Sequence, residues 1–310
     1  MTVALIDGDM AIHMACAGEA RQVDWGDGNI EHWVDADEAY THARLLAESW
    51  RGKTKAAAYV FCLSSDYNFR KWISPSYKAN RTGPKPETLE EVRARIETND
   101  RTCEIVGLEA DDVMGILATQ HPSLYVIASR DKDMQTIPAR VFNPDKNRRP
   151  IKITKDMSNR AFMRQVMQGD PTDGFSGIPK IGPAKAQEIL QDPRRLLRED
   201  RIISKGKNKG QTKTTYKLGE KCGVWQAMLD RAHVAGMTEA DLTTQARLAR
   251  ILRAEDYDEE KGQIRLWHPR EDVWMSLDQI IDNLEEGNEQ HDGRGNSGCN
   301  TVSQRDEDPE

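Results

Sequence analysis

Leu124-Tyr125-Val126-Ile127-Ala128-Ser129-Arg130-Asp131-Lys132-Asp133 is a short, largely apolar run that ends in two closely spaced carboxylates. A run of this length, rich in β-branched and aromatic side chains, fits a strand buried on both faces, as in a parallel sheet covered by helices. Asp131 and Asp133 then fall just beyond its C-terminal end. The same pattern occurs three more times. Residues 3–6 are closed by Asp7, residues 56–63 end near Asp66, and residues 103–106 lead into Glu109-Ala110-Asp111-Asp112 at the head of a helix over 109–120. Between these runs the spacing predicts helices through about residue 17, over 35–50 with Ala39, Ala43, Leu46 and Ala47 on one face, over 64–77, and an exposed amphipathic helix over 86–98. Strands alternating with helices predict an α/β fold with a mostly parallel central sheet.

Beyond residue 150 the pattern becomes helical, with helices over 158–168 and 183–191 joined by a Gly/Pro-rich turn that contains Asp170 and Asp173. Residues 204–217 are rich in Lys, Gly and Thr and read as a mobile basic loop or hairpin. Helix returns over 219–253, and residues 264–267 suit a short strand. Residues 285–310 hold eight acids against two arginines, a net of −6, and read as a disordered acidic tail.

Nine acids, Asp7, Asp66, Glu109, Asp111, Asp112, Asp131, Asp133, Asp170 and Asp173, lie at strand ends or helix starts, where an α/β fold gathers side chains into one crevice. So many carboxylates repel one another unless cations of high charge density sit among them. That points to a magnesium-dependent enzyme acting on phosphate esters. Singly, each acid also suits a helix N-terminus or a turn, so it is the conjunction that discriminates. The chain's formal charge is −7, of which the tail holds −6, leaving the body near −1. With the nine candidate ligands set aside, the body becomes about +8, a surface suited to DNA.

Composition sets further bounds. The 310 residues suffice for a sizeable core, and no stretch has the apolar length of a membrane span. The first ten residues lack a basic leader, so a cytosolic protein is expected. Five cysteines without a C-x-x-C pair give neither a disulfide framework nor a zinc site.

Five motifs in order, Leu5-Ile6-Asp7-Gly8, Asp66-x-x-x-Arg70, Glu109-Ala110-Asp111-Asp112, Ser129-Arg130-Asp131-Lys132-Asp133 and Gly169-Asp170-x-x-Asp173 followed by a Gly-Ile-Pro turn, resemble the flap-endonuclease/5′-3′ exonuclease superfamily. The later segments 204–211 and 235–252 are similar to the short exonucleases of podovirus-type tailed bacteriophages. The resemblance implies a nuclease core over 1–150 with an arch at 77–98, a helix-hairpin-helix DNA-binding region over 151–270, and two metal ions. Asp7, Asp66 and Asp111, with Glu109, would hold one ion. Asp112, Asp131, Asp133 and Asp173, with Asp170 behind them, would hold the other. Arg70 and Lys71 would face the scissile phosphate. In the arch, Tyr77 would stack on a base while Lys78 and Arg81 steer the strand. Asp9 is outside the implied set.

Gly177, Lys180, Gly182 and Lys185 would meet the duplex at the hairpin, with Lys205, Lys207 and Lys209 on the basic loop. The family places K+ at this hairpin, but Lys180 stands where the pattern has glycine. Magnesium, replaceable by manganese, would support 5′-to-3′ degradation of duplex or nicked DNA and of RNA in RNA/DNA hybrids, in the cytoplasm of a phage-infected bacterium. Two alternatives stay open. A haloacid-dehalogenase-like phosphatase would use Asp7 and Asp9, although Ala11 stands where that family has Thr or Val. A non-catalytic DNA-binding subunit would not need every carboxylate.

Overall fold

The computed structural model describes residues 1–18, 21–24, 30–33, 35–86 and 88–292. β1 (Val3–Asp7) leads through α1 (Gly8–Gly18), a ribbon of β2 (Arg21–Asp24) and β3 (Ile30–Trp33), and α2 (Ala36–Thr54) into β4 (Ala58–Cys62). There follow α3 (Phe69–Ile73), α4 (Leu89–Asn99), β5 (Thr102–Cys103), α5 (Ala110–Gln120), β6 (Tyr125–Ala128), β7 (Arg140–Phe142) and β8 (Ile151–Lys152). Six of these strands form one sheet in the order β5-β4-β1-β6-β7-β8, parallel throughout except for β7–β8.

Leu5 of β1 pairs with Val60 on one side and Ile127 on the other. The chain builds outward from β1 through β4 and β5, then crosses to β6 on the opposite side. The order of strands therefore reverses at β1/β6, and the C-terminal ends there open a crevice. Alternation along β1 sends Ala4 and Ile6 into a layer with Ala15, Ala43, Ala47, Trp50 and Ile96, and Leu5 into the other with Val113, Met114 and Ile127. Helices thus cover both faces, as the sequence predicts.

Several local expectations change, among them the helix expected over 219–253, which divides into Val224–Val234 and Glu239–Ala249. The helix expected over 64–77 shrinks to α3, whose start is capped by Asn68 accepting from the Arg70 amide and whose continuation is stopped near Pro75. α4 buries Val92 and Ile96 and so is not a fully exposed helix. Glu285 lies within α10 (Leu277–Asp292), so the expected tail begins inside a helix whose Leu277 and Ile280 are buried; residues 293–310 lie outside the described residues.

The C-terminal half comprises α6 (Lys155–Gln168), α7 (Pro183–Gln191), β9 (Arg194–Ile202), β10 (Thr212–Lys221), α8 (Val224–Val234), α9 (Glu239–Ala249), β11 (Tyr257–Asp258), β12 (Gln263–Leu266), β13 (Val273–Ser276) and α10. Phe162, Val166, Ile189, Met228 and Leu242 bring α6, α7, α8 and α9 onto one core. The basic segment 204–217 forms the turn and the first part of the return strand of an antiparallel ribbon, β9–β10.

Between α6 and α7 the chain folds back on itself. The Phe175 amide donates to the Asp170 carbonyl, the Asp170 amide to the Phe175 carbonyl, and the Ile178 amide to the Met167 carbonyl. Gly177, at φ 68°, lies so close to Gly169 that an added Cβ would stand 2.3 Å from the Gly169 nitrogen. Gly177→Ala therefore combines left-handed strain with a backbone clash and should lower unfolding free energy by about 3 kcal/mol, measurable by urea denaturation.

Candidate active site

The crevice at β1/β6 is a cleft of about 560 Å³ lined by Asp7, Asp9, Glu109, Asp111, Asp131, Asp133, Asp170 and Asp173, with Arg70, Lys78, Arg81 and Lys132 among them. Eight carboxylates against four cations leave four formal negative charges. Asp7 ends β1, where its carboxylate accepts from Ser129 Oγ at 2.6 Å and from the Met10 amide at 3.2 Å. Asp131 follows β6 and accepts from the Asp133 amide at 2.7 Å. Asp111 projects from the first turn of α5, and Asp170 and Asp173 come from the fold-back after α6.

Burial pushes Asp7 up to about 6, with Ser129 opposing the rise and Asp9 and Asp131 adding to it. Asp111 is raised well above the carboxylate range by burial, then by Asp7 and Asp131. Asp133 rises to about 7 through burial and Asp131. Glu109 goes the other way: burial would raise it, but Arg70 and Lys78 outweigh burial and hold it at about 2. The cleft thus contains desolvated carboxylates that repel one another beside one carboxylate that is fully paired.

Among the described residues no three His, Cys, Asp or Glu side chains close a ready-made metal shell. Side-chain cations hold several of the acids instead. Lys78 Nζ donates to Glu109, Arg81 to Asp173 at 2.5 Å, and Lys132 to Asp170 at 3.1 Å. Gln165 Nε2 donates to Asp133 at 2.8 Å.

Several residues implied by the motifs lie outside the cleft or line it in a different role. Asp112 is 0 % exposed and outside the cleft; it takes two bonds from Arg70, at 2.7 and 2.8 Å, and one from the Leu252 amide at 2.9 Å. Arg70 is 2 % exposed, and besides Asp112 it donates to Glu109 and to the Leu248 and Arg250 carbonyls, so its guanidinium supports the carboxylates and has no spare fork for a phosphate. Asp66 and Lys71 are exposed and outside the cleft. The Tyr77 ring is buried at 3 % exposure with Phe175, its hydroxyl donating to Glu109 at 2.9 Å, so no face is free for a base. The Gly177 amide donates to Gln245 Oε1 and is not available to a phosphate. Lys180, Gly182 and Lys185 are exposed on the turn and α7.

Sequence reasoning set Asp9 outside the implied ligands and passed over Lys132 and Gln165. Asp9 lines the cleft while accepting from the Ser64 amide and from Arg93. Lys132 stood inside a quoted motif, but nothing in its spacing identifies Asp170 as its partner. Gln165 carries no sequence signal, because only the fold brings α6 to Asp133.

Residues 2–165 match the family described as "5'-3' exonuclease, N-terminal resolvase-like domain". The chain belongs to the 5′-3′ exonuclease family. It is 32% identical over 283 residues to the exodeoxyribonuclease of Enterobacteria phage T3, covering 86% of this chain and 93% of that protein. It is 30% identical over 282 residues to the exonuclease of Escherichia phage T7, again covering 86% and 93%. The structure of T5 5′-exonuclease with divalent zinc ions bound shares the fold, with TM-score 0.53, 14% identity, and 92% of this chain and 99% of that chain covered. Neither a phosphatase nor a non-catalytic subunit finds support in these relationships. No helix of this exonuclease-family chain, among the described residues, is long and apolar enough to cross a membrane.

Proposed function

We propose that the acidic cleft is the hydrolytic centre of a metal-dependent exonuclease that shortens duplex DNA from its 5′ ends, including ends at nicks, and removes RNA from RNA/DNA hybrids in the bacterial cytoplasm. The observation that carries this reading is the grouping of Asp131 with the desolvated carboxylates Asp7 and Asp111 in one cleft at the strand-order reversal of an exonuclease-family fold. Hard oxygen donors in this number suit magnesium, with manganese able to replace it. Asp7, Asp111 and Asp131 would hold one ion, and Asp131, Asp133 and Asp173, backed by Asp170, a second. When bound, such ions supply an activated water and neutralise charge on the scissile phosphate and the leaving oxygen.

The chain's own residues prepare that chemistry. Ser129 and the Met10 amide fix the two oxygens of Asp7, and Gln165 fixes one oxygen of Asp133. Lys78 and Arg81 border the cleft, where they would steer an incoming strand once phosphate competes for them. Lys180, Gly182 and Lys185 would face the duplex behind it. Lys180 adopts φ 66° at the position where the resemblance expects glycine, which supports a retained turn path and with it K+ at the turn carbonyls; comparing binding in potassium and in sodium checks that part.

Polarity tests the whole. With magnesium, a duplex labelled separately at the two ends of one strand should lose its 5′ label first, and closed circles should resist; loss of the 3′ label first would reject the reading. Metal removal has a separate readout. Magnesium at about a hundred times its Kd should raise unfolding free energy by about 2.7 kcal/mol over protein in chelator, seen as a higher Tm.

A further inference from the structure

The ribbon β9–β10 departs from the rest of the molecule in both charge and exposure. Residues 194–221 contain ten Lys or Arg and three Asp or Glu, a net of +7 in a chain of −7, so the remainder stands at −14. Its root is fixed. Arg195 Nε and the Leu196 amide donate to Asp230 of α8 at 2.7 and 2.8 Å, and Arg231 donates to the Arg194 carbonyl at 3.0 Å. Beyond the root the side-chain bonds stay within the ribbon, from Arg198 and Thr214 to Asp200 and from Lys217 to Glu199. Register places Ile202, Tyr216 and Leu218 on one face, exposed at 74, 42 and 55 %, and Arg201 and Lys213 on the other.

A two-stranded ribbon with both faces in water is marginally stable alone. Its net positive charge suits a polyanionic partner. A two-stranded ribbon fits the major groove of duplex DNA. Nine residues at about 3.3 Å each reach about 30 Å, close to the roughly 34 Å of one duplex turn.

Resting on the reading of the cleft as a DNA exonuclease site, we propose that β9–β10 is a duplex-gripping arm that lies along the groove, with Lys205, Lys207 and Lys209 at its tip on phosphates about one helical turn from its root. α7 links the arm's root to the fold-back that lines the cleft, so the order of contacts along the duplex is cleft, turn, root, tip. Duplex too short to reach the tip lacks those contacts and binds more weakly.

The experiment measures equilibrium binding of the full chain by fluorescence anisotropy, with calcium in place of magnesium. The probes are blunt duplexes of about 10 and about 25 base pairs. The protein should bind the longer duplex at least tenfold tighter. Replacing the three tip lysines with serine should remove most of that gain, leave the short-duplex affinity within about twofold, and reduce the slope of log K against log salt on the long duplex by about 2.7. Replacement with arginine should restore it. Equal losses on both duplexes, or an unchanged salt slope, would overturn the arm. Wild-type cleavage of both duplexes with magnesium is the separate control: if neither is cleaved, the reading of the cleft fails with it, whereas cleavage without length dependence defeats the arm alone.

Discussion

Asp111→Asn should lower cleavage by roughly a hundredfold or more while raising the Tm of the metal-free protein. The two effects have one cause. Asp111 is half-buried in the cleft with Asp7 and Asp131, and its charged form is disfavoured first by desolvation and then by both neighbours. An amide of the same shape removes that repulsion when no ion is present and removes a ligand when one is. Asp131→Asn should behave alike, because Asp131 adds to the rise of Asp7, Asp111 and Asp133. Turnover near wild type for either variant, in a single-turnover assay on labelled duplex, would remove the cleft from the chemistry. A large fall in Tm would show that Asp111 is structural.

Arg70→Ala should cost about 3–5 kcal/mol of stability, read from denaturant titration, and should fail before catalysis can be examined. Asp112 would be left as an unpaired charge at 0 % exposure, and the Leu248 and Arg250 carbonyls and Glu109 would each lose a donor. Arg70→Lys should rescue little, since an ammonium cannot reproduce the two-pronged bond to Asp112. If Arg70 instead faced a phosphate, the variant would melt normally and lose only activity. Asp112→Ala should resemble Arg70→Ala and not Asp111→Asn, although Asp111 and Asp112 are adjacent in sequence.

That contrast shows how far the sequence could be read. Apolar runs ending in carboxylates disclosed β1, β4 and β6 and the crevice between them, because strand burial leaves a local mark on composition. The motifs also named Asp7, Glu109, Asp111, Asp131, Asp133, Asp170 and Asp173, all of which line one cleft. Motif order could not say which way a side chain points. Successive residues on a helix lie about 100° apart, so Asp111 enters the cleft while Asp112 turns inward to Arg70. The partners that hold the acids, Lys132 for Asp170 and Gln165 for Asp133, depend on packing between distant segments. The strand β9 was missed for another reason: its alternation carries charge on both faces, which hides the period that a half-buried strand displays.

The backbone of residues 248–252 closes the bonding of a charge pair contributed by α3 and α5. The family's matched portion ends at residue 165, yet an excised fragment of that length would expose an arginine and an aspartate designed for a dry interior and leave them short of three hydrogen bonds. Residues 1–165 of this chain are therefore not self-sufficient in their hydrogen bonding. Fusions that carry residues 1–165 of this chain should bring residues 248–252 too, to complete the bonding of Arg70 and Asp112.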